Sequence, residues 1–309
     1  MMSEATPRVR TNPLGTAIPP NPTRRNWVPY VLLVPGLLWL VIFFVLPMIT
    51  LGSQSLQEGS VEEGFTFTGN IGIYADAFSR YWPHMLRSLV YAGLATVLAL
   101  LLGYPLAYFI AQKAGRWKNV VLVLVIAPFF TSFLIRTLAW KTILSDNFFI
   151  TEWAQKLGIT DLLQAVGLTS TDSLLFSPFA VVMGLTYNFL PFMILPLYAS
   201  LERLDPRLLE AAGDLYATPW HAFRRVTWPL SLPGVVAGTL LTFIPASGDF
   251  INARLLGNTQ TSMIGSVIDS LFLRVLDYPL AAALSFILLV VIVTLVSLYV
   301  RRAGTEELL

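Results

Sequence analysis

The sequence contains no cysteine and only two histidines, His84 and His221. Without thiols there is no disulfide, no thiolate nucleophile and no Cys-ligated metal. The two imidazoles are far apart in sequence and are predicted on opposite sides of a membrane, which argues against a His-based metal site. No G-x-x-x-x-G-K-[ST] stretch occurs, so the chain cannot cradle nucleotide phosphates in the P-loop manner. Charge is scarce as well. Asp, Glu, Lys and Arg make up 12% of the 309 residues, and the net charge of +2 is too small to point to a nucleic-acid partner. The acids form no cluster inside an apolar run, so no catalytic set is visible.

Apolar residues are abundant. They make up 55% of the chain and the mean hydropathy is +0.68. A soluble domain could not hide that much apolar surface, so the chain reads as an all-α integral membrane protein. Six spans are expected: 29–51, 86–111, 119–141, 178–201, one starting near Leu232, and 278–300. Residues 1–26, rich in Pro, Thr, Asn and Arg, read as a disordered cytoplasmic tail. Residues 27–302 form the membrane domain, and 303–309 a short cytoplasmic tail. Residues 52–85 are expected as an outer loop with a short interfacial helix near 74–81, residues 142–177 as an outer segment with a short helix at ITEWAQKLGI, and residues 249–276 as a polar outer connection. Thirteen of the 20 Lys and Arg fall in the N-tail, the turn at 113–118, the loop at 203–234 and the pair Arg301-Arg302 that ends the last span. By the positive-inside rule both termini and that loop are expected in the cytoplasm. Arg136 lies within the third span as drawn. It needs a partner or a water-filled cavity, or, the reading we favour, it snorkels outward beside Trp140 and Lys141. Gly103, Ala107 and Ala111, and Gly234, Gly238, Thr242 and Ala246, make two small-residue stripes suited to close helix contact.

The stretch Arg203–Gly234 stands apart. Asp205-Pro206 and Thr218-Pro219 are both helix-start signals, an acceptor side chain followed by a residue pre-set for the first turn. Leu208, Ala211, Ala212 and Leu215 then fall on one narrow stripe. Phe223 and Val226 should face inward from a second short helix, with Arg224 and Arg225 wet. Pro229 and Pro233 are expected to end that helix.

Glu210, Ala211, Ala212, Asp214, Leu215, Ala217, Phe223, Val226, Pro229, Leu230, Pro233 and Gly234 resemble the EAA loop of the membrane subunits of bacterial ABC importers. Tyr216 stands where that family usually has Gly. Three more stretches, Arg136–Trp140, Tyr187–Met193 and Phe243–Phe250, look like the spermidine/putrescine (polyamine) permease group, and the resemblance covers most of the chain from the second span onward. It implies a type I importer permease of about six spans in the bacterial inner membrane. The coupling loop, Glu210 to Ala217 with Phe223, would sit on ATP-hydrolysing subunits. ATP and Mg would be bound there and no cofactor by this chain, which is then not itself an enzyme. A second permease chain and an extracytoplasmic binding protein are the other implied partners, besides the bilayer. Tyr187, Asn188, Asp249 and Phe250 are the candidate path residues, since carboxylates and aromatic faces suit a polycation. Related permeases for ferric ion, sulfate, phosphonate or organic cations share parts of these motifs. A secondary transporter would need an intramembrane ionisable relay, for which only Arg136 and Asp249 are available.

Overall fold

The structure is a computed structural model that describes residues 27–169 and 173–303. The two expected tails lie outside the described residues, apart from Ala303. The chain forms two compact units, Met1–Leu51 and Gly52–Leu309. In the first, α1 (Val28–Leu40) passes through a π turn at Val41–Val45 into α2 (Leu46–Gln54), whose last three residues belong to the second. Pro35 sits inside α1, and the run from Tyr30 to Gln54 is long and apolar enough to cross a membrane.

The second unit opens with a two-stranded antiparallel hairpin, β1 (Gln57–Ser60) and β2 (Gly64–Phe67), with Glu58 opposite Thr66. It is the only sheet among the described residues. Then comes α3, a single 41-residue helix from Gly72 to Gln112. The short helix expected near 74–81 is thus the first part of α3, which runs on unbroken into the expected second span. Ala77 and Met85 are buried with Ile264, Leu271 and Leu284, and that burial carries the helix through Pro83. At about 1.5 Å per residue such a helix reaches about 60 Å, twice the hydrocarbon thickness, so part of it stands outside the apolar layer.

The third span is not straight. α4 (Lys118–Ile126) tightens into a 3-10 turn at Ala127–Phe130, and α5 (Phe133–Ile143) departs at 95°. Thr131 and Ser132 are extended, and the Thr131 hydroxyl donates to the Pro128 carbonyl at 2.7 Å, which closes the first half. Two short helices follow, α6 (Phe149–Lys156) and α7 (Ile159–Ala165). The first matches the expected ITEWAQKLGI helix.

α8 (Pro178–Glu202) is the centre of the unit. The Ser177 hydroxyl accepts from the Ala180 amide and starts it. α3 packs on α8, and so does α11 (Trp228–Ser247), which follows α9 (Pro206–Asp214) and α10 (Pro219–Ala222). The two small-residue stripes are the reason the helices can approach. A Cβ on Gly103 would stand 3.2 Å from Ile194, one on Gly238 2.8 Å from the Met193 sulfur, and one on Gly234 2.8 Å from the Pro196 carbonyl oxygen. A π turn at Phe223–Thr227 joins α10 to α11, so Pro219–Ser247 is one helical run of 29 residues. Pro229 and Pro233 do not end the second loop helix as expected. The π turn already interrupts the i−4 ladder just ahead of Pro229, where its missing N–H would be felt.

Residues 249–276, expected as a polar outer connection, are mostly helical. They form α12 (Ile251–Leu256), a 3-10 turn at Thr259–Thr261, α13 (Ile264–Ser270) and a π turn at Leu271–Val275. Their polar groups are used internally. Asn258 accepts from the amides of Gln260 and Thr261 and donates to the Phe176 carbonyl, and the Ser88 hydroxyl accepts from the Ile264 amide. α14 (Tyr278–Ala303) closes the fold. Five helices are long and apolar enough to cross a membrane, six if the bent pair counts as one.

Candidate functional site

Two places in the second unit concentrate the sequence-predicted residues. The first is the loop between α8 and α11. The Asp205 carboxylate accepts from the Arg207 amide at 3.0 Å and starts α9, and the Thr218 hydroxyl accepts from the His221 amide and starts α10. The expected apolar stripe forms but is left largely uncovered. Leu208, Ala211 and Leu215 are exposed, Leu215 by 81%, and only Ala212 is half-buried. Glu210 and Asp214 are exposed beside the stripe, and Ala217 is half-buried. Phe223 does face inward. Its ring meets Tyr104 edge-on at 5.8 Å and stacks on Trp220 at 5.6 Å, while Arg224 and Arg225 remain exposed. Tyr104 also shares a hydrogen bond with Ser231 at 2.8 Å, which ties the base of the loop to α3.

The loop turns at Leu215–Ala217. The Tyr216 amide donates to the Gly213 carbonyl at 2.9 Å and the Ala217 amide to the Ala212 carbonyl at 3.0 Å. This pairing requires a left-handed residue at 216, and Tyr216 adopts φ 57. The turn is thus the one a glycine would make, built with a tyrosine. A cleft of about 410 Å³ opens beside it, walled by Tyr216, His221 and Arg225.

The second place is a buried polar junction where α5, α8 and α12 meet. Asn188, 1% exposed, donates through Nδ2 to Asn252 Oδ1 at 3.0 Å and to Thr137 Oγ1 at 3.1 Å. Thr137 and Asn252 are fully buried. Asp249 stands at the end of the segment. Its carboxylate accepts from the Asn252 amide at 2.8 Å, satisfying a free donor of the first turn of α12. Asn188 and Asp249 are therefore brought together, and Asn252 is the link that the sequence reading missed. Its spacing, an acid three residues ahead of it, is the one local signal. Tyr187 and Phe250 are not in the junction. Tyr187 packs on Trp140 at 5.5 Å and lines an apolar cleft of about 320 Å³ with Val121 and Pro191, and Phe250 is exposed.

Some groups at this depth lack partners. Asn188 Oδ1, Asn252 Nδ2, and Arg136 Nε and Nη1 are buried with no hydrogen bond among the described residues. Turning both amides over exchanges the roles of the two asparagines and still leaves one donor and one acceptor unmet. Arg136 does not snorkel. It is 9% exposed, and its guanidinium lies over the rings of Phe129 at 5.3 Å and Phe133 at 5.6 Å. The 95° bend turns α5, and Arg136 with it, back toward the fold.

Residues 99–303 match the family described as binding-protein-dependent transport system inner membrane component. The chain belongs to that family. This inner-membrane component is 38% identical over 269 residues to the spermidine/putrescine transport system permease protein PotB of Salmonella typhimurium, covering 86% of this chain and 90% of that one. The protein of the same name from Escherichia coli is 37% identical over 274 residues, covering 86% and 94%, and that from Haemophilus influenzae 36% over 264 residues, covering 85% and 90%. The fold resembles that of a chain in the crystal structure of a bacterial ABC transporter involved in import of the acidic polysaccharide alginate, with a TM-score of 0.67 at 19% identity, covering 92% of this chain and 97% of that one. The type I importer fold, the multi-pass membrane architecture and the permease family expected from the sequence are thus found. Both the loop and the polar junction lie inside the matched region.

Proposed function

We propose that the chain is one permease chain of an ATP-driven importer of polyamines, with spermidine and putrescine as the substrate class. The observation that carries this is the 36–38% identity, over more than four-fifths of the chain, to relatives named for spermidine and putrescine transport. The chain itself has no nucleotide-binding loop and is proposed to have no enzymatic activity. ATP and Mg²⁺ would be bound by a pair of separate ATPase subunits seated on the loop at 203–234. A second permease chain completes the membrane part and an extracytoplasmic binding protein delivers substrate. Both termini and the loop are proposed to face the cytoplasm, because that is where the Lys and Arg collect.

The mechanism is alternating access. ATP binding draws the ATPase subunits together, and the loop passes that displacement to the spans. The ATPase can shift the permease only by its differential affinity for the two states. The polar junction is the proposed gate region within this chain. Asp249 supplies negative charge to a passing polycation, with the faces of Tyr187 and Phe250 as further candidate contacts.

Reconstitution of the chain with its second permease, ATPase and binding protein in vesicles tests this. Uptake of labelled spermidine that needs both ATP and the binding protein is expected. Uptake by this chain alone, without ATP, would replace the importer with a secondary transporter.

A further inference from the structure

The turn between α9 and α10 carries a cost that the loop does not need to bear. Residue 216 must be left-handed for the Gly213 and Ala212 carbonyls to be satisfied. At φ 57 a Cβ crowds the backbone, and a glycine would not. The tyrosine recovers nothing for it inside the chain. It is 97% exposed, and its hydroxyl makes no hydrogen bond among the described residues. Leu215 before it and Trp220 after it are exposed too, so three large apolar side chains stand uncovered within six residues.

We infer that the Tyr216 ring is a specificity knob, seated in a pocket of the partner ATPase and deciding which ATPase this permease accepts. The inference rests on the proposed role of the loop in holding an ATPase. The partner pocket it calls for has an apolar floor for the ring and acidic groups at its rim, to meet Arg224 and Arg225 on the adjoining turn. A rigid aromatic with few rotatable bonds is the kind of side chain that anchors an interface centre. A lipid surface fits less well. Glu210 and Asp214 are exposed on α9, just ahead of Tyr216, and would be carried toward acidic headgroups.

The test uses the full chain with its second permease in nanodiscs. Two ATPases are titrated in: the one from its own transport system, and one from an importer whose loop has glycine at this position. Y216G is expected to melt no lower than the wild type, yet to bind its own ATPase at least tenfold more weakly and to lose its preference over the other. Y216F keeps both within threefold, since the ring remains. E210K serves as the control for the loop itself and is expected to bind neither ATPase. Wild-type affinity and preference in Y216G, with E210K still unable to bind, overturns the inference and leaves the loop reading intact. Wild-type binding by both variants removes the loop reading and the inference with it. A loss in Y216G seen in anionic nanodiscs but absent in detergent reassigns the ring to the lipid surface and overturns the inference.

Discussion

Asn188 and Tyr216 sit at opposite ends of the range of environments in this chain. Asn188 is fully enclosed, and its amide nitrogen finds acceptors on two other helices. Tyr216 is open on all sides and held in a backbone conformation that disfavours it. Around Asn188 the neighbours come from residues 137, 188 and 252, and each fixes the position of the next. Around Tyr216 the loop's hydrogen bonds are made by residues within six positions of one another, and its apolar side chains are left unspent. A region that satisfies itself is built for stability or for a change of state within the chain. A region that satisfies its backbone and exposes its side chains is built for something outside it.

Substitutions at the two regions should differ in sign as well as size. Gly265→Ala should have the largest effect. Its Cβ would stand 2.4 Å from the Gly248 carbonyl oxygen and 2.9 Å from that of Asp249, backbone atoms of the segment that leads into the junction. Overpacking there should cost about 3 kcal/mol, read as a lower midpoint of thermal unfolding in detergent. An unchanged midpoint would mean that the junction is looser than drawn. Asn252→Ala should come next, at about 1–2 kcal/mol, because Asn188 and Thr137 lose their shared acceptor.

Asp249→Asn should leave the fold within about 1 kcal/mol, since an amide oxygen can still accept from the Asn252 amide. Uptake of a dicationic substrate at low concentration should fall several-fold with it. Uptake at the wild-type rate would take Asp249 off the path. The smallest effect belongs to the loop, and it is a gain. Nothing would stand within 4 Å of a Cβ at Gly213, so Gly213→Ala should raise stability by about 0.5 kcal/mol through helix propensity. A loss there instead would show that Gly213 is packed against something, and the contrast between a closed junction and an open loop would weaken.

The loop was the more legible of the two in the sequence. Asp205-Pro206 and Thr218-Pro219 start their helices by local hydrogen bonds, and a local signal survives in a linear reading. The junction was not legible, because Asn188 and Asp249 stand out in an apolar run but Thr137 and Asn252 do not. Nothing in the sequence says which distant residue will face which. The bend at Thr131–Ser132 had a signal, Pro128 with the polar pair Thr131-Ser132 three and four residues on, which the single-span reading passed over. Arg136 followed that error: a guanidinium expected at the outer edge of a straight helix is turned inward by the bend. Residues 249–276 misled through composition. Asn252 and Thr261 are buried there, and exposed Asn258 bonds back to the Phe176 carbonyl, so polarity did not mean an open chain.

The π turn at Phe223–Thr227 leaves α10 and α11 as one continuous helical run. At about 1.5 Å per residue its 29 residues reach about 43 Å. A tilt of about 5° at the loop end would swing the far tip by about 4 Å, enough to part a hydrogen bond. That tip is Ser247, one residue from Gly248, whose carbonyl is in close approach to Gly265, and two from Asp249. On the proposed mechanism this run is the path by which a tilt at the loop would reach the polar junction.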